Sequence, residues 1–563
     1  MGVAYKAEDT RMRSFAYSHA LVALAILLFA ELLAAQTRFH NAPASTQAVK
    51  NPYAGHEEAT LAGKNLYASH CLSCHGEAGE GAGRVPPLED GRLASVTPGE
   101  VFWFITRGDK DNGMPAWGSL PAKQRWQIIS YVEAIGNSQA SHEGSAPPPP
   151  DLNTFQLKAR PPTPPFTDFR YERPATFHKI TVNDLPPPYA TGSALKFPSL
   201  VERPESAWPV APAGFKVELY GSGFDNPRTL RTAPNGDIFL VETDPGRIRT
   251  FRGLTANGKP QQSETFVSGL KQPYGLVFYP PGADPQWLYV GSAAEVVRFP
   301  YHNGDLKANG SPQHVADLPT SWFGHTTRAV EFSRDGKRMF VAVGSGSNVD
   351  DPDTHPGEKN RADILACNPE NCVLTVYAYG IRNAGGGIAV NPQTGELWCS
   401  VNERDALGDN LVPDYITHVQ EGGFYGWPWW YMGGHQDPRH LGKHPELKDK
   451  VIVPDVLLQP HNASLEFTFY QGQQFPAEYK GDIFASEHGS WNKAVRVGYE
   501  VIRVPLHHTG HASGEYEDFL TGFVLSDGKV WGRPVGITVA SDGSLLVSDD
   551  GPNSVWRVSY AGK

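Results

Sequence analysis

Cysteine is scarce, with five in 563 residues, too few for a disulfide-built scaffold, so each has to be read singly. Charged residues make up only 19% and hydrophobic residues 40%, which excludes a highly charged disordered chain and a coiled coil. Basic residues do not cluster. There are 49 Lys and Arg against 60 Asp and Glu, a net charge of −11. Phosphate neutralisation needs clustered cations, so nucleic acid is not an expected partner. Beyond residue 40 no apolar run approaches the ~18 residues of a spanning helix.

Turn chemistry, by contrast, is abundant. Gly (58) and Pro (48) together exceed 18% of the chain, against an average of roughly 12%. That favours many tight turns or long linkers over a helical bundle. The 13 Trp and 22 Tyr imply large apolar cores, and the length alone amounts to three or four domains of about 150 residues each.

Residues 1–40 read as an export segment. Lys6, Arg11 and Arg13 precede an apolar run from Ala20 to Ala30, resumed at Leu32–Ala35 after Glu31. The order of basic, apolar and small residues is that of a signal peptide. Glu31 speaks against a cleavage site, which leaves an uncleaved membrane anchor over residues 18–35 as the alternative. Either way the protein is expected in the periplasm or otherwise exported.

Residues 49–139 carry the sharpest motif, Cys71-Leu72-Ser73-Cys74-His75. Two thiols three residues apart can each add across a haem vinyl group, and the adjacent imidazole reaches the iron. A second axial ligand is expected downstream. Met114, in Gly113-Met114-Pro115, is the one methionine of the segment. A thioether opposite His raises the haem potential, as suits an electron acceptor. Leu61, Gly63, Leu66 and Tyr67 form a helical stripe before the motif, with Gly63 suited to a close helix crossing. Thr97-Pro98-Gly99-Glu100 is a capping box. Trp126, Ile129, Val132 and Ile135 recur near a 3.6 period. This segment resembles a class I cytochrome c domain. The resemblance implies one haem c held by Cys71 and Cys74, with His75 and Met114 on the iron.

Residues 140–210 are punctuated by Pro147–Pro150, Pro161-Pro162, Pro164-Pro165 and Pro186–Pro188. Proline runs favour extended polyproline II, so a semi-rigid linker is expected.

From 211 to 563 a phrase recurs: a polar anchor, an apolar strand, a tight turn, a second strand. The anchors fall at Arg228, Tyr274, Arg328, Arg382, Gly481 and Arg533, mostly about 46 to 54 residues apart. Asn235-Gly236, Asp335-Gly336 and Asp542-Gly543 mark hairpins. The period is near that of propeller blades. Six units predict an all-β six-bladed propeller beside the small all-α domain, with one long interval holding an insertion around Trp427-Pro428-Trp429-Trp430. The blade starts are polar: Arg228, His325, Arg328, Arg382, Asn383, His488, Asn492, Lys493 and Arg533. Equivalent positions converge on a propeller's axis, and clustered Arg there suits a small polyanionic ligand.

Several phrases together resemble the pyrroloquinoline quinone (PQQ)-dependent soluble sugar dehydrogenases of the sorbosone and pyranose dehydrogenase type. They are Gly324-His325-Thr326-Thr327-Arg328, Val343-Gly344-Ser345-Gly346-Ser347-Asn348, Gly380-Ile381-Arg382-Asn383, Asn402-Glu403-Arg404-Asp405, Tyr425-Gly426-Trp427-Pro428, Glu487-His488-Gly489-Ser490-Trp491-Asn492 and Arg533-Pro534-Val535-Gly536. The resemblance implies that His325 is the general base, with Arg328 beside it. Arg228, Arg328, Arg382, Asn383, Lys493 and Arg533 would hold PQQ. A Ca²⁺ would bridge PQQ to the backbone carbonyls of Glu403 and Arg404.

The expected function is oxidation of a sugar, aldehyde or alcohol with PQQ, the electrons leaving through the haem to an external cytochrome, quinone or oxidase. The rival is a non-enzymatic propeller that binds a carbohydrate or protein and carries an electron-transfer cytochrome. Cys367 and Cys372 bracket a four-residue turn between two apolar strands, within disulfide reach. Cys399 reads as a core thiol.

Overall fold

The computed structural model describes residues 42–54, 56–71, 75–76, 79, 88, 93, 96–109, 114–118, 120–140, 161–194, 196–320 and 325–562. The chain divides into two units, Met1–Pro149 and Pro150–Lys563. The expected export segment and Cys74 lie outside the described residues. Among the described residues no helix is long and apolar enough to cross a membrane.

The first unit is helical. Its described helices are α1 (Glu57–His70), α2 (Pro98–Arg107) and α3 (Ala122–Ala140). The capping box is present: Thr97 N donates to Glu100 Oε2 at 2.8 Å and Glu100 N donates back to Thr97 Oγ1. Gly63 does what its position predicts. A Cβ there would lie 1.8 Å from the Gln127 carbonyl oxygen, so only glycine lets α1 and α3 cross this closely. Tyr67, Trp126, Ile129 and Val132 are buried at that crossing, and Cys71, Met114 and Ile135 pack against the same cluster.

The second unit is built from four-stranded antiparallel sheets. Blade one runs Pro227–Thr232, Ile238–Glu242, Arg247–Leu254 and Pro260–Val267. Blade two runs Pro273–Tyr279, Trp287–Ser292, Glu295–Pro300 and Gln313–Asp317. Blade three runs Val330–Phe332, Met339–Val343, Asp363–Cys367 and Thr375–Tyr379. Blade four runs Gly387–Val390, Leu397–Val401, Pro413–His418 and Val456–Pro460. Blade five runs Ser464–Phe469, Ile483–Glu487, Glu500–Val504 and Glu515–Leu520. Blade six runs Pro534–Val539, Leu545–Asp549 and Ser554–Tyr560. The first strand of each blade touches that of the next, and the sixth touches the first, which closes the ring. Blade six takes its outer strand, Phe215–Ser222, from the start of the unit, so both ends of the propeller are tied into one sheet.

The second strands of all blades but the second are buried along their whole length, because they sit between neighbouring sheets. At the expected hairpins Gly236, Gly336 and Gly543 take φ of 90°, 68° and 86°, the left-handed values these turns require. Cys367 and Cys372 form a disulfide across the blade-three hairpin, and Cys399 is buried.

Two expectations are corrected. The anchor at Gly481 falls on the second strand of blade five, whose first strand starts at Ser464. The insertion is therefore inside blade four, between Pro413–His418 and Val456–Pro460. The segment expected as a linker is part of the propeller unit from residue 161 onward. Phe177–Lys179 adds a fifth strand to blade five, and Trp208 stacks edge-on against Trp556. The prolines suit this because they cannot supply ladder donors and so keep the segment extended over finished blades.

Candidate active site

The predicted residues lie in two kinds of loop: those entering a first strand and those leaving a second strand. Adjacent strands are antiparallel, so both kinds open at the same end of the blades. His325 and Arg328 precede the first strand of blade three, Arg382 and Asn383 that of blade four, and Arg533 that of blade six. Ser345, Glu403, Lys493 and Asp550 follow second strands. Tyr274 Oη, at the start of blade two, donates to the Gly386 carbonyl before blade four at 3.0 Å, which spans the axis.

His325 is held in one tautomer. Its Nδ1 lies 3.0 Å from the Ser345 carbonyl oxygen. A carbonyl only accepts, so Nδ1 carries the proton and Nε2 keeps its lone pair. Burial pushes the imidazole pKa down to about 3, with Arg382 adding to the effect, so the ring is neutral. Gly344 permits the arrangement: a Cβ there would lie 2.7 Å from His325 Cβ and 2.3 Å from Asn383 Oδ1.

Arg328 turns its guanidinium onto the backbone of its own loop. Its Nη1 donates to the carbonyls of His325 and Thr327, both at 2.8 Å, and its Nη2 to that of Pro319 at 3.0 Å. Arg361, which the sequence did not single out, does the same from the other side. It donates to Pro319, His325 and Ser345 carbonyls, each at 3.0 Å. Two buried guanidinium groups thus clamp the loop carrying His325, and Arg328 is a positioning residue here.

Arg382 pairs with Asp405 (Nη2 to Oδ2, 2.9 Å) and donates to Glu403 O at 2.6 Å and Asn348 Oδ1 at 3.1 Å. Burial alone would raise the Asp405 pKa, but Arg382 and His461 outweigh it and hold it at about 2. Asn492 Nδ2 donates to the other Asp405 oxygen at 2.5 Å. Trp427 of the insertion donates to Asn348 O at 2.9 Å, so the insertion braces this wall. Asn383 is buried, its Oδ1 accepting from Gly385 N.

A second cluster joins blades one, five and six. Asp550 pairs with Arg228 at 2.5 Å and accepts from His488 Nε2 at 2.9 Å, while Arg533 Nη2 donates to His488 Nδ1 at 3.0 Å. His488 is a neutral linker between a carboxylate and a guanidinium. Burial first, then Arg533, lowers its pKa to about 4. Asp550 and Arg361 are functional neighbours that the sequence pattern missed. Asp550 is the middle residue of Asp549-Asp550-Gly551, and Arg361 carries no local signal.

Lys493 is the exception among the cations. It is 6% exposed and its Nζ has no hydrogen-bond partner. Burial lowers its pKa to about 8. The charged groups nearest it are the carboxylates of Asp409, Glu172, Asp168 and Asp414, so it is Arg228, Arg382 and Arg533 that suit an anionic ligand. PQQ, a polycarboxylate, fits this donor set. The residues expected to hold calcium are engaged with their own neighbours. The Glu403 carbonyl faces the Arg382 guanidinium, the Glu403 carboxylate turns back onto Arg404 N, and Arg404 is paired with Asp437. Among the described residues no three His, Cys, Asp or Glu side chains are grouped to hold a metal.

In the first unit His75 N donates to Cys71 O at 2.9 Å, one helical turn that sets both side chains on the same face. Met114 forms a bridge with Asp109, N to O 2.9 Å. Gly108, at φ 67°, lets the chain pass against Pro115, since a Cβ there would lie 2.4 Å from the Pro115 carbonyl carbon. Cys71 and Met114 pack against one apolar cluster, the kind of surroundings a haem takes.

Residues 224–492 match the family model for glucose/sorbosone dehydrogenases. An uncharacterized protein of Borreliella burgdorferi is 30% identical over 363 residues, covering 62% of this chain and 90% of that one. The chain belongs to the glucose/sorbosone dehydrogenase family. This family member is also 25% identical over 409 residues to a pyrroloquinoline quinone-dependent pyranose dehydrogenase of Coprinopsis cinerea, covering 61% of this chain and 54% of that protein. The PQQ domain of the Coprinopsis cinerea pyranose dehydrogenase superposes with a TM-score of 0.52 at 22% identity, covering 63% of this chain and 98% of that one. A Trichoderma reesei protein of carbohydrate-active enzyme family AA12 gives 0.55 at 20% identity, covering 64% and 99%. Both establish the six-bladed fold. Residues 443–561 match a TrAA12-like model. Residues 58–132 match the model for cytochrome c oxidase, cbb3-type, subunit III, so the dehydrogenase domain is fused to a cytochrome c domain.

Proposed function

We propose that this protein is a PQQ-dependent dehydrogenase that oxidises a sugar, aldehyde or alcohol and sends the electrons through its own haem c to an external acceptor. The observation that carries the reading is the fixed tautomer of His325, a neutral imidazole with Nε2 unprotonated at the axial end of the blades. When bound, PQQ supplies the two-electron acceptor. His325 Nε2 takes the substrate hydroxyl proton as the C–H hydrogen leaves as hydride. Ser345 orients the ring, and Arg328 and Arg361 hold the loop. Arg228, Arg382, Asn383 and Arg533 bind and orient the anionic cofactor. The reading assigns no step to calcium.

In the cytochrome domain, Cys71 and Cys74 would hold the haem covalently, with His75 and Met114 supplying ligands to its iron. Fusion replaces diffusional encounter between donor and acceptor with an effective concentration that short linkers bring to about mM. Export to the periplasm, with residues 18–35 as signal or anchor, is supported by the Cys367–Cys372 bond, which persists in oxidising compartments.

The test is reconstitution. Purified haem-loaded protein is titrated with PQQ and assayed by dye reduction on a panel of sugars, aldehydes and alcohols, with and without EDTA. PQQ-dependent turnover supports the reading. Its complete absence favours a binding propeller.

A further inference from the structure

Blade five contains a row of buried acids that the reading above leaves unused. Ser464, Glu487 and Glu500 are successive cross-strand partners, so their side chains stand together on one face. Ser464 Oγ donates to Glu487 Oε1 at 2.9 Å. Glu500 lies beside the carboxyl of Asp518 on the next strand. Glu172, from the segment that wraps the blade, accepts from Gly498 N at 2.9 Å and lies beside Asp518. Glu172, Glu487, Glu500 and Asp518 are 4%, 0%, 1% and 0% exposed.

Both ends of the row lead somewhere. At the outer end Asp518 Oδ1 lies 2.8 Å from His178 Nε2, and His178 is half-buried on the added strand Phe177–Lys179. At the inner end stands Asn462, whose Oδ1 would lie 3.3 Å from a Cβ on Gly498. Its neighbour His461 has Nδ1 3.0 Å from Asn492 Nδ2, the group that bonds Asp405 beside Arg382. Along this line both amide atoms of Asn462, Glu487 Oε2, Glu500 Oε2 and Lys493 Nζ are buried with no hydrogen-bond partner.

Four carboxyl groups this deeply buried, with so few cations facing them, cannot all be ionised, so the row holds a proton. The charged groups facing the row are Lys493, Asp168 and Asp518 at Glu172, Asp414 at Glu487, and Glu172, Glu487 and Asp518 at Glu500. Only Lys493 among these is basic. The nearby guanidinium groups are engaged elsewhere, Arg503 with Asp482 and Glu517, and Arg170 with Asp168. Burial pushes the Glu487 pKa up to about 8, and burial with mutual repulsion raises those of Glu172 and Glu500 well above the carboxylate range.

We propose that Glu487, Glu500, Asp518 and His178 form a proton path from the axial site through blade five to solvent. The proposal rests on the dehydrogenase reading for its purpose. Oxidising a carbinol to a carbonyl releases two electrons and two protons. The electrons leave singly through the haem, and the proton that His325 takes has to be passed on before the next turnover.

The decisive measurement needs neither PQQ nor substrate, so its failure is distinct from failure of the dehydrogenase reading. Infrared spectra of the full-length, haem-loaded protein are compared with those of Glu500→Gln. The wild type is expected to show a protonated-carboxyl band at neutral pH that the variant lacks. On transfer to heavy water that band should shift, and His178→Phe should slow the shift about 10²-fold, the lower range for removing a positioned proton-transfer group. If Glu500→Gln does not fold, Asp518→Asn removes the neighbouring carboxyl and is expected to diminish the same band. Absence of the band in the wild type, or an unchanged exchange rate in His178→Phe, overturns the path.

Discussion

His325 and Ser345 meet twice: the ring Nδ1 lies 3.0 Å from the Ser345 carbonyl oxygen and 3.3 Å from its hydroxyl. Both contacts are to one ring nitrogen, so the other is left for chemistry. Removing the base should therefore cost turnover and little else. His325→Gln is expected to lower kcat by about 10²–10⁴-fold, the usual worth of a general base. PQQ affinity should hardly move, because arginines make that site, and the haem spectrum should not change. Dye reduction beside a PQQ titration checks this proposed division of roles, and near-wild-type turnover would remove His325 from the role.

The two neutral histidines also set an acid limit on stability. In the fold the pKa of His325 is about 3 and that of His488 about 4, against an ordinary value of 6.5. Between these values the unfolded chain binds protons that the folded chain refuses. Their contribution is thus present above about pH 6.5 and is lost as pH falls toward 3–4. Urea unfolding at stepped pH is expected to show a shallower acid loss in His488→Gln than in the wild type. By the same sign, kcat/KM should show no acid limb from His325 above pH 4.

How far the sequence could be read depended on whether a signal was local. Asn-Gly and Asp-Gly turns, the Thr97–Glu100 box and Gly63 each depend on a few neighbouring residues, and the structure has them all. The blade starting at Ser464 was displaced because Ser464–Phe469 lacks a preceding Arg and the insertion hid the period. The partners of Arg228 and Arg382 were not legible at all. Asp550 is 322 residues from Arg228, and only ring closure brings blades one and six together. Arg361 was missed for the same reason: what it grips are carbonyls, which no side-chain pattern announces.

Arg382 already has a carboxylate partner, so cofactor binding has to share it with Asp405. Arg382→Ala leaves both Asp405 and a cofactor oxygen without a charged donor. A truncation of that kind typically costs about 2–5 kcal/mol. PQQ titration by absorbance should show that loss, and unchanged affinity would set aside the anion site around Arg382.

Gly63→Ala tests the helix crossing of the first unit. The added methyl would meet the Gln127 carbonyl oxygen at 1.8 Å, a backbone atom that cannot swing away. The helices must part, at about 1–3 kcal/mol for overpacking of this kind. Thermal unfolding followed at the haem should report a lower Tm, while propeller unfolding followed by PQQ binding should not shift.

Met114 tests the electron route. Its side chain packs on the same core as Cys71, and its backbone is pinned to Asp109 by a pair of bonds of 2.8 and 2.9 Å. The loop geometry therefore survives loss of the side chain, and Met114→Ala changes the ligand more than the fold. Without the thioether the haem potential should fall, since Met opposite His raises it. A lower potential makes the haem a poorer acceptor for electrons from the propeller. Spectroelectrochemical titration should read the drop directly. Rapid mixing with substrate should then show slower haem reduction, while reduction of a dye that takes electrons from the propeller keeps its rate. An unchanged potential in Met114→Ala would mean that another residue completes the iron's coordination.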